Sequence, residues 1–194
     1  MSAAVQIDAV AEKYLANVLD AFEEAGVSVR AAYLLGSAAT GDFDPATSDL
    51  DAVAVVDRPL GDARAGIIEA IARLGSPFRA LELVVYVDGH QPPDFELNLN
   101  VDAGGAVEKP DEPPHWFVID AALAQERAVP VGGDEPWPAH FEPVSEERLR
   151  EALVQSIAWS QARPLDDDFA RLNAIRSRHY LETAEWLSKT EAAR

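Results

Sequence analysis

The sequence predicts an α+β fold, an N-terminal α/β domain over residues 1–104 followed by an all-helical domain over residues 105–194. Three observations carry this. Short Val/Leu-rich runs alternate with amphipathic helical patterns in the first half. A Gly/Pro-rich stretch without periodicity, DAGGAVEKPDEPPH at 102–115, interrupts the chain as a linker does. Beyond it only helical periodicity recurs.

Taken in order, residues 5–25 read as a packing helix, with Val10, Tyr14, Val18 and Phe22 at i, i+4 spacing and Gly26 as its stop. Val27 to Leu35 is the first predicted strand and Asp51 to Val56 the second. The break Arg58-Pro59-Leu60-Gly61 leads into a helix from Ala63 to Leu74, with Ile67, Ile68 and Ile71 inward. Arg79 to Val87 is a strand with one intruder, Glu82, in an otherwise apolar run. Asp94 to Asn100 is one more short strand whose Glu96, Asn98 and Asn100 share a face, read as turned to solvent. In the second half, helices are predicted from Trp116 to Arg127, Glu146 to Ser160 (Leu149, Leu153 and Ile157 inward) and Asp167 to Trp186 (Leu172, Ile175 and His179 on one stripe). Val129 to Pro143 is a Pro/Gly-rich loop.

Composition bounds the function. The 194 residues are 48% hydrophobic and 26% charged, ordinary for a globular protein with a sizeable core. There is no cysteine, which excludes a disulfide scaffold and thiolate-held metals and fits a reducing compartment. The N-terminus lacks the basic and apolar regions of a signal peptide, and no apolar run reaches the roughly 18–20 residues of a membrane span, so a cytoplasmic protein without membrane contact is expected. A formal net charge of −18 argues against nucleic acid, whose phosphates require Lys and Arg, and favours a cationic partner. The four histidines, His90, His115, His140 and His179, show no metal spacing.

The chemistry is concentrated in residues 34–57, LLGSAATGDFDPATSDLDAVAVVD. Gly36-Ser37 breaks the first strand and opens a short helix; a glycine there admits close backbone approach, and helix-initiating N–H groups suit phosphate. Ser48-Asp49-Leu50-Asp51 runs into the second strand, where Asp49 and Asp51 lie two apart and share one face. Paired carboxylates at the mouth of a buried strand stay ionised most readily with a cation between them. Mg²⁺ suits such an all-oxygen site with room for substrate phosphates.

The order hydrophobic-Gly-Ser, spacer, Asp-hydrophobic-Asp-hydrophobic resembles the signature of the DNA polymerase beta superfamily of nucleotidyltransferases. Within it, the stretch 34–87 and the segment LNAIRSRHYLETAEWLSK (172–189) most resemble the streptomycin/spectinomycin-type aminoglycoside adenylyltransferases. The resemblance implies a nucleotidyltransferase domain with a small mixed sheet, joined to a helical domain that is short relative to the family. It also implies Mg²⁺-dependent transfer of AMP from ATP to a hydroxyl of a small cationic acceptor such as an aminoglycoside, by a monomer or homodimer. Asp49, Asp51 and Glu82 would hold metal, with Glu82 as catalytic base; Gly36, Ser37, Ser48, Arg176 and Lys189 would contact the nucleotide. The family's drug-contacting tryptophan falls at Val101 or Asp102 here, which leaves Trp116 nearest but out of register; of its acidic pair only Asp166 is matched. Two alternatives stand beside this reading, an antitoxin-type nucleotidyltransferase that modifies a partner protein and a nucleotide-binding protein without catalysis.

Overall fold

The computed structural model describes residues 9–133, 135–164 and 166–194. They fall into two compact units, one running to Glu112 and taking in Leu123–Pro143, the other made of Pro113–Ala122 and Val144–Arg194.

The first unit is built on a six-stranded mixed sheet. Its strands are β1 (Val29–Leu34), β2 (Leu50–Val56), β3 (Leu81–Val87), β4 (Leu97–Asp102), β5 (Gly105–Glu108) and β6 (Val129–Gly132), in the spatial order β5-β4-β3-β2-β1-β6. Only β2 and β3 pair in parallel, joined by the crossover helix α3 (Arg64–Leu74); the other pairs are antiparallel. Helices α1 (Ala9–Glu24) and α2 (Gly36–Thr40) complete the order before β2.

Period-two alternation sorts the strands into two faces. Leu50, Ala52, Ala54 and Val56 of β2, Leu81, Leu83, Val85 and Val87 of β3, and Leu97, Leu99 and Val101 of β4 join one apolar cluster with Leu15, Val18 and Phe22 of α1 and Ile67 and Ile71 of α3. Full burial of each such Leu, Ile or Phe contributes roughly 1.5–3 kcal/mol. At the far end of the other face, Tyr33 of β1 and Tyr86 of β3 pack against Trp137 and Phe141, with Trp137 and Phe141 stacked at 4.1 Å.

Several expectations need correction. Residues 105–108, expected within the linker, and 129–132, expected within a loop, are strands of the mixed sheet. Both are short and interrupted by Gly or Pro, and each becomes a strand by completing a ladder set elsewhere: β5 closes a hairpin on β4, and β6 adds an edge to β1. On α1, Val10 is 55% exposed and the buried stripe is Ala11, Tyr14, Leu15, Val18, Ala21 and Phe22. The part of the first helical pattern at residues 5–8 lies outside the described residues.

The second unit contains the opening of α4 (Pro114–Arg127) with α5 (Glu146–Gln161), α6 (Asp168–Thr183) and α7 (Lys189–Ala192). Side-chain caps start the last three: Ser145 accepts from Arg148 N–H, Asp167 from Ala170 N–H, and Ser188 with Glu191 forms a capping box. The stripe that α6 buries is Ala170, Asn173, Ala174 and Ser177, rather than Leu172, Ile175 and His179. Small side chains let α5 and α6 approach closely, and the Ser177 hydroxyl donates to Ser156 Oγ at 3.0 Å in the seam. No helix among the described residues is long and apolar enough to cross a membrane.

Candidate active site

The second face of the sheet changes character along its strands. Val53 and Val55 of β2 and Tyr86 of β3 are buried, but at the start of these strands the same face presents Asp51 and Glu82. The parallel register pairs Asp51 directly with Glu82, and the antiparallel register pairs Glu82 with Asn100 of β4. Paired residues point to the same face, so Asp51, Glu82 and Asn100 form a row across three strands. Asp49 enters just before β2; its side chain is 13% exposed, whereas Glu82 is open to solvent.

Gly36 makes this arrangement possible. It has φ +54°, and a Cβ added there would stand 1.8 Å from Asp51 Oδ2. The Asp51 carboxylate thus lies directly against the Gly36 backbone, and the ladder is continued by the Leu35 N–H, which donates to the Asp51 carbonyl at 2.9 Å. The glycine of the Gly-Ser motif and the second acid of the Asp-x-Asp motif, fifteen positions apart in sequence, are one structural feature. Ser37 is half-buried in α2. Ser48 closes a tight loop in which its hydroxyl accepts from the Asp44 N–H at 3.1 Å, while Asp44 Oδ1 accepts from the Ala46 N–H at 2.9 Å. That loop delivers Asp49 to the mouth of β2.

Arg79, just before β3, was not among the sequence-derived candidates. Its Nε donates to Asp49 Oδ1 at 2.7 Å and its Nη2 donates to Asp49 Oδ2, a two-pronged ion pair. The Asp49 hydrogen bond, reinforced by the charges of Asp49, Glu82 and Asp51, holds the guanidinium above its already high ordinary pKa. A signal existed: between Arg73 and Lys109, Arg79 is the one arginine or lysine.

The acid row offers oxygen donors of the kind Mg²⁺ takes. Among the described residues no three ligating side chains stand close enough to cage a metal by themselves. The guanidinium on Asp49 shows that the row draws a cation.

Glu96, Asn98 and Asn100 do not simply face solvent. Glu96 accepts from the Leu60 N–H at 3.1 Å and lies 3.8 Å from Arg64 Nη1, and Asn98 donates to the Lys109 carbonyl at 3.0 Å. Asn100 is half-buried beside Glu82.

The remaining sequence-derived residues belong to the second unit. Arg176 is half-buried on α6 and its Nε donates to the Leu187 carbonyl at 2.8 Å, tying down the segment that leads to Lys189, the exposed first residue of α7. Trp116 lies 5.3 Å from Trp159 and 6.0 Å from Phe169, ring to ring, and Arg163 stacks 4.3 Å above Trp159. Asp166 is exposed in the connection between α5 and α6. Sequence reasoning did not find Trp159, Phe169 or Arg163 as company for Trp116, because they come from two other elements.

Residues 15–99 match the family model described as the nucleotidyltransferase domain. Among solved structures, the chain is similar to a spectinomycin adenyltransferase, AAD(9), from Enterococcus faecialis, determined with ATP and spectinomycin. The TM-score is 0.73 at 17% sequence identity, over 94% of this chain and 79% of that one. That likeness is one of fold, a mixed sheet followed by a helical region. No curated protein matches the chain.

Proposed function

We propose that this chain, whose residues 15–99 match the nucleotidyltransferase-domain family model, transfers AMP from ATP to a hydroxyl of a small cationic acceptor of the aminoglycoside or spectinomycin class. The observation that carries the proposal is the row itself: Glu82 in register beside Asp51, with the Asp51 carboxylate seated on Gly36.

Asp49 and Asp51 are the residues that would hold Mg²⁺, which when bound supplies charge neutralisation at the phosphates. Gly36, Ser37 and Ser48 lie around the same acids and are assigned to the nucleotide; the backbone at Gly36 allows close approach, and the two hydroxyls can donate to phosphate oxygen. Glu82 is the exposed member of the row and is assigned as the base that takes the proton from the acceptor hydroxyl as its oxygen attacks the α-phosphorus. The P–O bond to pyrophosphate breaks as the new P–O bond forms, and positioning with charge neutralisation provides most of the acceleration. Arg176 and Lys189 are assigned to the triphosphate on family resemblance, as are Trp116 and Asp166 to the acceptor. The −18 charge supports a cationic acceptor by steering it toward the protein.

The test is incubation with Mg²⁺-ATP and either spectinomycin or streptomycin, read by pyrophosphate release and by mass spectrometry of the drug. An AMP adduct on either drug is the expected result. ATP binding with no adduct on either would remove this acceptor class, and the absence of ATP binding would remove the reaction.

A further inference from the structure

The fork of Arg79 on Asp49 consumes both oxygens of the carboxylate that the proposed reaction needs for its cation. The two partners differ in freedom: the Asp49 side chain is 13% exposed, whereas that of Arg79 is 63% exposed. The acid is fixed by the strand it leads into, and the arginine is the member able to move. Behind Asp49 stand Asp51 and Glu82, whose charges also reach the guanidinium. A row of carboxylates without a cation repels itself, and Arg79 is the basic residue whose side chain is found on it.

We propose that Arg79 is the resident counter-ion of the acid row, exchanged for a divalent cation at Asp49 when Mg²⁺-nucleotide arrives, and that it then turns its fork to phosphate. This rests on reading the row as the nucleotidyl-transfer centre. A guanidinium fork seated on both Asp49 oxygens repels a divalent ion at the same carboxylate and takes up part of its lone-pair capacity, so the two compete there. An exposed arginine pair is weak, so the competition lowers metal affinity without abolishing it. The planar fork that matches a carboxylate matches a phosphate equally well, and a side chain released from Asp49 is beside the acids assigned to the nucleotide. Arg79 is thus a positioning residue with two opposite effects, holding back free metal and favouring metal-nucleotide.

The experiment is titration of Mn²⁺ alone, followed by loss of its free electron paramagnetic resonance signal, into wild type, Arg79→Gln, Arg79→Lys and Asp49→Asn. Calorimetry of Mg²⁺-ATP on the same proteins follows. Arg79→Gln is expected to bind Mn²⁺ about two- to fivefold more tightly, as befits loss of an exposed competitor, yet to bind Mg²⁺-ATP more weakly than wild type. Arg79→Lys, which keeps the charge without the fork, is expected between the two. Asp49→Asn is expected to lose Mn²⁺. A purely structural arginine would not shift the two ligands in opposite directions. Arg79→Gln with unchanged or weaker Mn²⁺ affinity overturns the counter-ion proposal and leaves the reaction standing. Mn²⁺ binding that is absent from wild type, or unaffected by Asp49→Asn, overturns both.

Discussion

On one face of the sheet, Leu50, Ala54, Val56, Leu81, Leu83, Val85, Leu97 and Leu99 have at most 1% of their surface exposed and lie in one cluster with α1 and α3. On the other face, the alternate residues of the same strands pass from Val53, Val55 and Tyr86 to Asp51, Glu82 and Asn100. The backbone is shared and the register is shared, so the two faces differ only in what every second residue is. One face holds the fold together by removing apolar surface from water. The other spends part of its length on like charges that weaken the fold and supply chemistry. Substitutions should therefore separate: changes on the apolar face cost stability, and changes in the acid row cost activity.

Four substitutions would break or sharpen this contrast, from the largest effect to the smallest. Glu82→Gln should lower AMP transfer by about 10²–10⁴-fold, the usual scale for losing a positioned base, while the urea midpoint stays level or rises as a negative charge leaves the row. An unfolding-matched loss of activity would collapse the distinction. Leu83→Ala, one residue along the same strand and on the opposite face, should cost about 2–5 kcal/mol of stability by denaturant titration, with kcat per folded molecule retained. Gly36→Ala should couple the two faces: a Cβ at 1.8 Å from Asp51 Oδ2 must displace the carboxylate, and the φ of +54° adds strain of roughly 1–3 kcal/mol. It should lose metal-dependent ATP binding and stability together; normal binding there would dissociate Asp51 from the site.

The smallest effect concerns the aromatic end of the second face. Burial, aided by the charge of Glu135, pushes the Tyr33 hydroxyl up to about 12, and burial does the same for Tyr14 of α1, also to about 12. A raised pKa means that the unfolded chain loses these protons first. Their contribution is complete below the ordinary tyrosine value of 10.0 and disappears as pH rises toward about 12. Stability measured across that window should fall, and Tyr33→Phe should make the fall shallower. At neutral pH the same variant loses the hydroxyl's hydrogen bond to the Glu135 carbonyl, 2.9 Å long, at a cost of about 0.5–1.5 kcal/mol. An unchanged alkaline slope would contradict the assignment to Tyr33.

Much of the first unit was legible because its strands are local and strongly patterned. Asp51 and Glu82 were singled out as carboxylates at the end of, or inside, apolar runs, and both lie where that oddity suggested. The sequence could not show that they are register partners, since the β2–β3 ladder joins residues from separate stretches of the chain. Nor could it show that Gly36 touches Asp51. Strands β5 and β6 were missed for a related reason: each is four residues long and owes its conformation to a neighbour. Arg79 was passed over because an exposed arginine is ordinarily a solvated surface charge; its isolation in the sequence gained meaning from its two-pronged contact with Asp49. His140, one of the four histidines without metal spacing, is buried with its ring nitrogens 3.0 Å from Asp88 Oδ1 and 3.0 Å from Glu135 Oε2. Partners that distant in sequence leave no local trace. In the second unit, the small-residue seam of α5 and α6 was hidden by the larger Leu172 and Ile175 beside it.

The central claim is that the row beside Gly36 binds metal-nucleotide. Its most direct test is calorimetric titration of ATP, with and without Mg²⁺, into wild type and Asp51→Asn of equal thermal stability. The expected result is binding by wild type that requires Mg²⁺ and is lost in Asp51→Asn. Equal ATP affinity in the two proteins, or affinity that ignores Mg²⁺, would contradict the account.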